Sequence, residues 1–208
     1  MNATHAGMAT LAFPPATAAH PRARRRLTLL IRDLGYGGAQ RQLVALARGL
    51  HGLHFDVTVV HFYDGPLAAE LDAAAVPRVR VEKNGRWDLP RFFLRLRRAL
   101  AQTRPDILHG FLTESNVMSV LCCGACGKPR VVWGIRDSES DAHQWGILGR
   151  ASAVLARRLS HCADALVANS HAGRAWYAAR GYAAEKFHVV PNGIDVNRFR
   201  PEATLGRS

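Results

Sequence analysis

LTLLIRDLGYGGAQRQLVALARGL, residues Leu27 to Leu50, divides into three pieces. Leu27 to Ile31 is an apolar run too short for a helix and reads as a strand covered on both faces. Gly35, Gly37 and Gly38 interrupt it. From Gln40 to Leu50 the apolar residues Leu43, Val44, Leu46, Ala47 and Leu50 fall three and four apart, the period of an amphipathic helix. Strand, glycine turn and helix in that order open a βαβ unit.

The alternation continues along the chain. Further strands are expected at Phe55–Phe62, Arg78–Val81, Asp106–Gly110, Arg130–Ile135, Ala165–Ala168 and Phe187–Val190. Helices are expected at Pro66–Ala75, Leu89–Gln102, Glu114–Cys126, Trp145–His161 and Ala172–Arg180. Strands that alternate with helices lie parallel and are joined by right-handed crossovers. The expected fold class is therefore α/β, with a doubly wound, mostly parallel, Rossmann-like sheet. At 208 residues the chain has room for one sizeable domain, here expected over 27–190. Residues 1–26 read as a disordered basic tail and 191–208 as the start of a linker.

Lys and Arg number 28 against 16 Asp and Glu, a net charge of +12. That balance favours anionic partners without choosing among them. No recognised nucleic-acid module accompanies the charge, so nucleic acid is not an expected partner. No run approaches the roughly 20 apolar residues of a membrane span. The tail places its arginines after its apolar stretch, unlike a secretory signal, and a cytoplasmic setting with reduced thiols is expected. Cys122, Cys123 and Cys126 lack a second ligand pair beyond His161-Cys162. They read as small apolar residues on a packed helix, and no metal is expected.

Ligands of such sheets bind beyond the carboxyl ends of the strands. This singles out Asp33–Ala39, His109–Ser115, Arg136–Asp141 and Asn169-Ser170. Gly35 and Gly37 fit the first two positions of a dinucleotide fingerprint, but Gln40 stands where a small residue is needed. The residues leave two readings: a tight structural turn, or a loop that brings backbone N–H groups to an anion at a helix start.

Five segments in order resemble the N-terminal domain of family 4 (group 1) glycosyltransferases with the GT-B fold. They are the Gly37-Gly-Ala-Gln40 loop, Arg104-Pro-Asp-Ile-Leu-His109, Lys128 to Arg136, Ala168-Asn-Ser170, and Lys186 to Asp195 with Arg198-Phe-Arg-Pro201. The resemblance spans about Leu27 to Pro201 and implies an acceptor-side domain followed by a linker, with the donor domain lying beyond this sequence. It implies a hexosyltransferase, retaining configuration, that moves a sugar from a nucleoside-diphosphate donor to a glycan or lipid-linked acceptor in polysaccharide synthesis. The nucleotide sugar is a co-substrate, no cofactor is expected, and the fragment alone is expected to be inactive. A non-catalytic sugar- or partner-binding module is the alternative.

By the same resemblance Gly37 and Gly38 approach the donor diphosphate. Arg136 stands where many relatives carry a histidine against the transferred sugar; it stays charged and suits a phosphate or carboxylate. Arg136 and His109 are the expected catalytic pair, and Gln40, Asp137, Glu139 and Asn169 the expected acceptor contacts. An Arg136–Glu139 surface pair and a structural His109 remain open, and Ser170 reads first as a helix cap. Arg91, Arg95 and Arg98 share one face of their helix, either a solvated face or a peripheral contact with an anionic membrane, such as the inner face.

Overall fold

The computed structural model describes residues 24–85, 88–136 and 146–193, with side chains except at 146–151. In chain order the elements are β1 (Arg25–Asp33), α1 (Gly38–Leu50), β2 (Phe55–Tyr63), α2 (Ala68–Ala73), β3 (Arg78–Arg80), α3 (Leu89–Thr103) and β4 (Ile107–Phe111). They continue with α4 (Leu112–Cys122), β5 (Arg130–Ile135), α5 (Gly146–Ser160), β6 (Ala165–Ala168), α6 (His171–Ala179) and β7 (Phe187–Val189). The strands form one sheet in the order β3-β2-β1-β4-β5-β6-β7. Every pairing is parallel. This is the doubly wound α/β architecture expected.

Alternate residues of each strand feed opposite faces. Leu27, Leu29 and Ile31 of β1 pack with Leu43 and Val44 of α1 and Leu71 of α2. Leu30 turns the other way, into a cluster with Phe92 and Leu96 of α3 and Leu108 of β4. A third cluster joins Trp133 of β5, Leu166 of β6 and Phe187 of β7 to Tyr177 of α6. Both faces of the central strands are thereby covered, which is why they read as largely apolar runs.

Several boundaries differ from the sequence reading, most clearly in three elements. β1 begins at Arg25, inside the stretch assigned to the tail, and Arg25 and Arg26 pair with Phe55 and Asp56. The cause is Asp106, which accepts the Arg26 backbone N–H at 2.8 Å and its guanidinium at 2.9 Å. α2 is shorter than expected, and the cysteine helix ends at Cys122, with Cys123–Cys126 forming a 3-10 turn. Gly127, at φ +81°, then turns the chain toward β5. No helix among the described residues is long and apolar enough to cross a membrane.

The order reverses between β1 and β4: α1 leaves the sheet on one face and α4 on the other. The crevice at their carboxyl ends is where this fold holds ligands.

Candidate functional site at the carboxyl edge of the sheet

The glycine loop is braced from inside. Asp33 Oδ1 accepts the Gly35 backbone N–H at 3.0 Å and the Gln40 amide Nε2–H at 3.1 Å. Gln40, expected at the acceptor, thus has its side chain turned back on its own loop. Gly37 caps α1 in an extended conformation (φ −162°) that any residue adopts, with no side-chain cap and no acid in the first turn. The first N–H groups of α1 therefore present an uncompensated positive end. A Cβ on Gly37 would meet the Gln40 Oε1 at 2.2 Å, whereas one on Gly38 would meet nothing within 4 Å. Neither backbone conformation nor packing demands glycine at 38. Its missing side chain leaves the helix start open to the cleft.

β4 delivers His109 and Phe111 to the same edge. The His109 ring is 8% exposed, lies 4.6 Å from the Phe111 ring, and its Nε2 is buried without a hydrogen-bond partner. Burial first, and the Arg136 charge second, push its pKa down to about 3, so the ring is neutral at physiological pH. Leu112 then takes φ +69°, a left-handed turn costing a non-glycine residue about 1–2 kcal/mol, and starts α4 with no intervening loop. α4 lies tight on the sheet. A Cβ on Gly110 would stand 2.7 Å from Asn116 Oδ1 and 2.9 Å from its Cα. The Asn116 amide donates to the Gly134 carbonyl of β5 at 3.2 Å.

Arg136 follows β5 and is half-buried. Its guanidinium carbon sits 5.2 Å from the centre of the Phe111 ring. Its Nη1 donates to the Asn192 Oδ1, and its Nε is buried without a partner. Burial lowers its pKa from the ordinary value, yet an arginine stays charged at neutral pH. The next residue, Gly193, accepts a hydrogen bond from the Gln42 amide of α1 at 2.9 Å. Adjacent Cα atoms are about 3.8 Å apart, so Arg136 and α1 grip one dipeptide from two sides. The segment after β7 thus crosses the rim of the cleft.

The structure therefore gathers Gly37, Gly38, Gln40, His109 and Arg136 at one edge. Ser170 is the N-cap of α6, its Oγ accepting the Gly173 N–H at 3.0 Å, as expected, with Asn169 just before it. Asp137 and Glu139 lie outside the described residues. Two participants were missed. Gly65 leans on the glycine loop, signalled only by an Asp-Gly-Pro turn after β2. Asn116 carried no sequence signal. Among the described residues no three His, Cys, Asp or Glu side chains cluster as metal ligands would.

Solved structures share this fold. Anabaena HepE in complex with UDP-glucose is 20% identical, with a TM-score of 0.68 over 84% of this chain and 45% of its own. The lipopolysaccharide outer core galactosyltransferase WaaB, in its apo form, is 15% identical, with a TM-score of 0.62 over 82% of this chain and 46% of its own. UDP-GlcNAc 2-epimerase from Methanocaldococcus jannaschii, 15% identical, reaches 0.59 over 80% and 45%. The chain thus spans a little under half the length of these proteins. No curated protein sequence matches it. The profile of Glycosyltransferase Family 4 matches residues 36–198, from the glycine loop past the Asn192 rim. This chain belongs to glycosyltransferase family 4.

Proposed function

We infer that the chain forms the acceptor-side wall of a retaining hexosyltransferase that takes its sugar from a nucleoside diphosphate. The observation that carries this is Gly38: an open, uncapped helix start whose glycine the fold does not require. Bond breaking at the anomeric carbon leaves charge on the diphosphate, and preorganised N–H donors stabilise that charge most in the transition state. The first turn of α1 supplies such donors, and Arg136 adds a fixed positive charge along the same rim. His109, neutral and buried, serves as a hydrogen-bonding wall and not as a proton donor. Asn169, Asp137 and Glu139 remain the proposed acceptor contacts, and Gln40 acts through the loop it braces.

The acceptor is a glycan or a lipid-linked sugar. A surface suited to an anionic membrane, on the cytoplasmic side, accompanies it on α3, with Arg91 and Arg98 as expected but without Arg95. Arg95 turns inward to Asp88 and the Glu82 carbonyl. Arg91, Arg97 and Arg98 instead surround Leu94, which is 53% exposed.

The test is a titration of the isotope-labelled chain with UDP, followed by backbone amide shifts. The expected result is a weak interaction, Kd about 1 mM, centred on Gly37, Gly38 and Ala39 and lost in Gly38→Val. Shifts that avoid α1 altogether would refute the assignment. The chain alone is expected to leave UDP-glucose unconsumed, and turnover by these 208 residues would overturn the reading of one wall. The alternative is a sugar- or partner-binding module without turnover. Sugar binding that survives Gly38→Val is its result.

A further inference from the structure

The loop between β2 and α2 reaches the underside of the glycine loop. A Cβ on Gly65 would lie 2.3 Å from the carbonyl carbon and oxygen of Leu34 and 2.5 Å from the Gly35 nitrogen. These are backbone atoms of a buried turn and have no rotamer with which to yield. The backbone of Gly65 is not in the left-handed region. Glycine is required here by contact and not by conformation. Two residues on, the Leu67 N–H donates to the Leu34 carbonyl at 3.1 Å, and both leucines are buried in the same cluster. Gly65 itself accepts the Ala68 N–H at 3.0 Å, which ties it to the start of α2. Before it, Asp64 is held by Arg78 and Arg80 of β3 at 3.4 and 3.7 Å. The peptide that Gly65 presses is the one whose N–H is fixed by Asp33, and Asp33 also holds Gln40.

We propose that Gly65 is a positioning residue for the diphosphate loop: its bare Cα sets the height of the Leu34–Gly35 peptide and so the aim of the first N–H groups of α1. The proposal rests on the reading of α1 as the diphosphate wall. Ordinary contact begins near 3.4 Å, so an added methyl at 2.3 Å must displace the Leu34–Gly35 peptide by about 1 Å. A displacement of that size in a binding or catalytic group costs up to roughly 100-fold in function. The ligand class is a nucleoside diphosphate, held by backbone donors and not by any side chain of residue 65.

The experiment compares three forms of the labelled chain with UDP as the probe: the unmodified chain, Gly65→Ala, and Leu96→Ala. Leu96→Ala is a core truncation on the buried face of α3 that lowers stability without touching the loop. The expected result is at least about a tenfold loss of UDP affinity in Gly65→Ala, with the Gly35 amide displaced, while folded Leu96→Ala binds as the unmodified chain does. Equal losses in both variants, or none in Gly65→Ala, overturn the proposal. Should Gly65→Ala not fold, hydrogen exchange in the unmodified chain decides. UDP must slow the Leu67 and Gly35 amides together with Gly38, and protection confined to Gly38 overturns the coupling. Absence of any UDP response at Gly37 and Gly38 in the unmodified chain is a different failure, that of the diphosphate assignment itself.

Discussion

Replacing His109 with Gln should remove a specific part of the acid sensitivity of the fold. The folded ring titrates near 3, because burial and then Arg136 oppose its charge, whereas an unfolded histidine titrates near 6.5. Between those values the unfolded chain binds a proton that the folded chain refuses, so stability rises with pH across this window and falls on acidification. From pH 7 to pH 5 the loss from this one site is about 2 kcal/mol. His61 is buried and shifted down as well, chiefly by burial, so the whole chain loses more than this. The difference between the two proteins isolates His109. With urea unfolding followed by tryptophan fluorescence, which reports on buried Trp133, an m-value near 2 kcal/mol/M turns that difference into a midpoint shift of about 1 M. The variant should lose correspondingly less stability than the native chain between pH 7 and pH 5, whatever its stability at pH 7. Parallel losses in the two proteins would refute a neutral, desolvated His109.

Asn116→Ala removes its hydrogen bond to the Gly134 carbonyl in the core, and thermal or urea unfolding should register a loss of about 0.5–1.5 kcal/mol. Cys162 is exposed, while burial pushes the Cys122 thiol up to about 12 and the Cys126 thiol up to about 11. A disulfide reagent at pH 8 should therefore modify Cys162 rapidly and reach Cys122 and Cys126 only on unfolding; fast labelling of all the thiols would contradict the packing. Anionic vesicles should sediment the chain at low salt and release it at about 0.5 M salt, where charges more than a few ångströms apart are screened. Replacing Arg91, Arg97 and Arg98 together with Gln should abolish the effect, and equal binding by that variant would rule out the α3 face.

The fold was legible because its signals are local. Apolar runs broken by turn residues such as Arg104-Pro105 marked most of the strands, and helical spacing marked the helices to within a few residues. The site was legible only where a loop carried its own signature, as at Gly37-Gly38 and Ser170. The orientation of Gln40 was not legible because its partner, Asp33, lies seven residues back on a turn whose shape the sequence does not specify. Arg95 misled for a similar reason: the helix period places it beside Arg91 and Arg98, but Asp88, one residue before α3, turns its guanidinium inward. Gly65 and Asn116 were invisible because their roles are contacts with backbone atoms from distant parts of the chain, brought close only by the sheet. A glycine forced by a distant carbonyl looks, in sequence, like any other turn glycine.

The grip of Gln42 on Gly193 joins residues 151 positions apart, and this has a consequence in time. A ribosome adding about 10 residues per second needs roughly 15 s to travel between them. During that interval β1, α1 and β2 are already available to pair and pack, but the rim that Asn192 and Gly193 supply has not been made. A nascent chain thus carries its glycine loop beside an open rim, and the Arg136–Asn192 and Gln42–Gly193 contacts form only once residues 192 and 193 emerge.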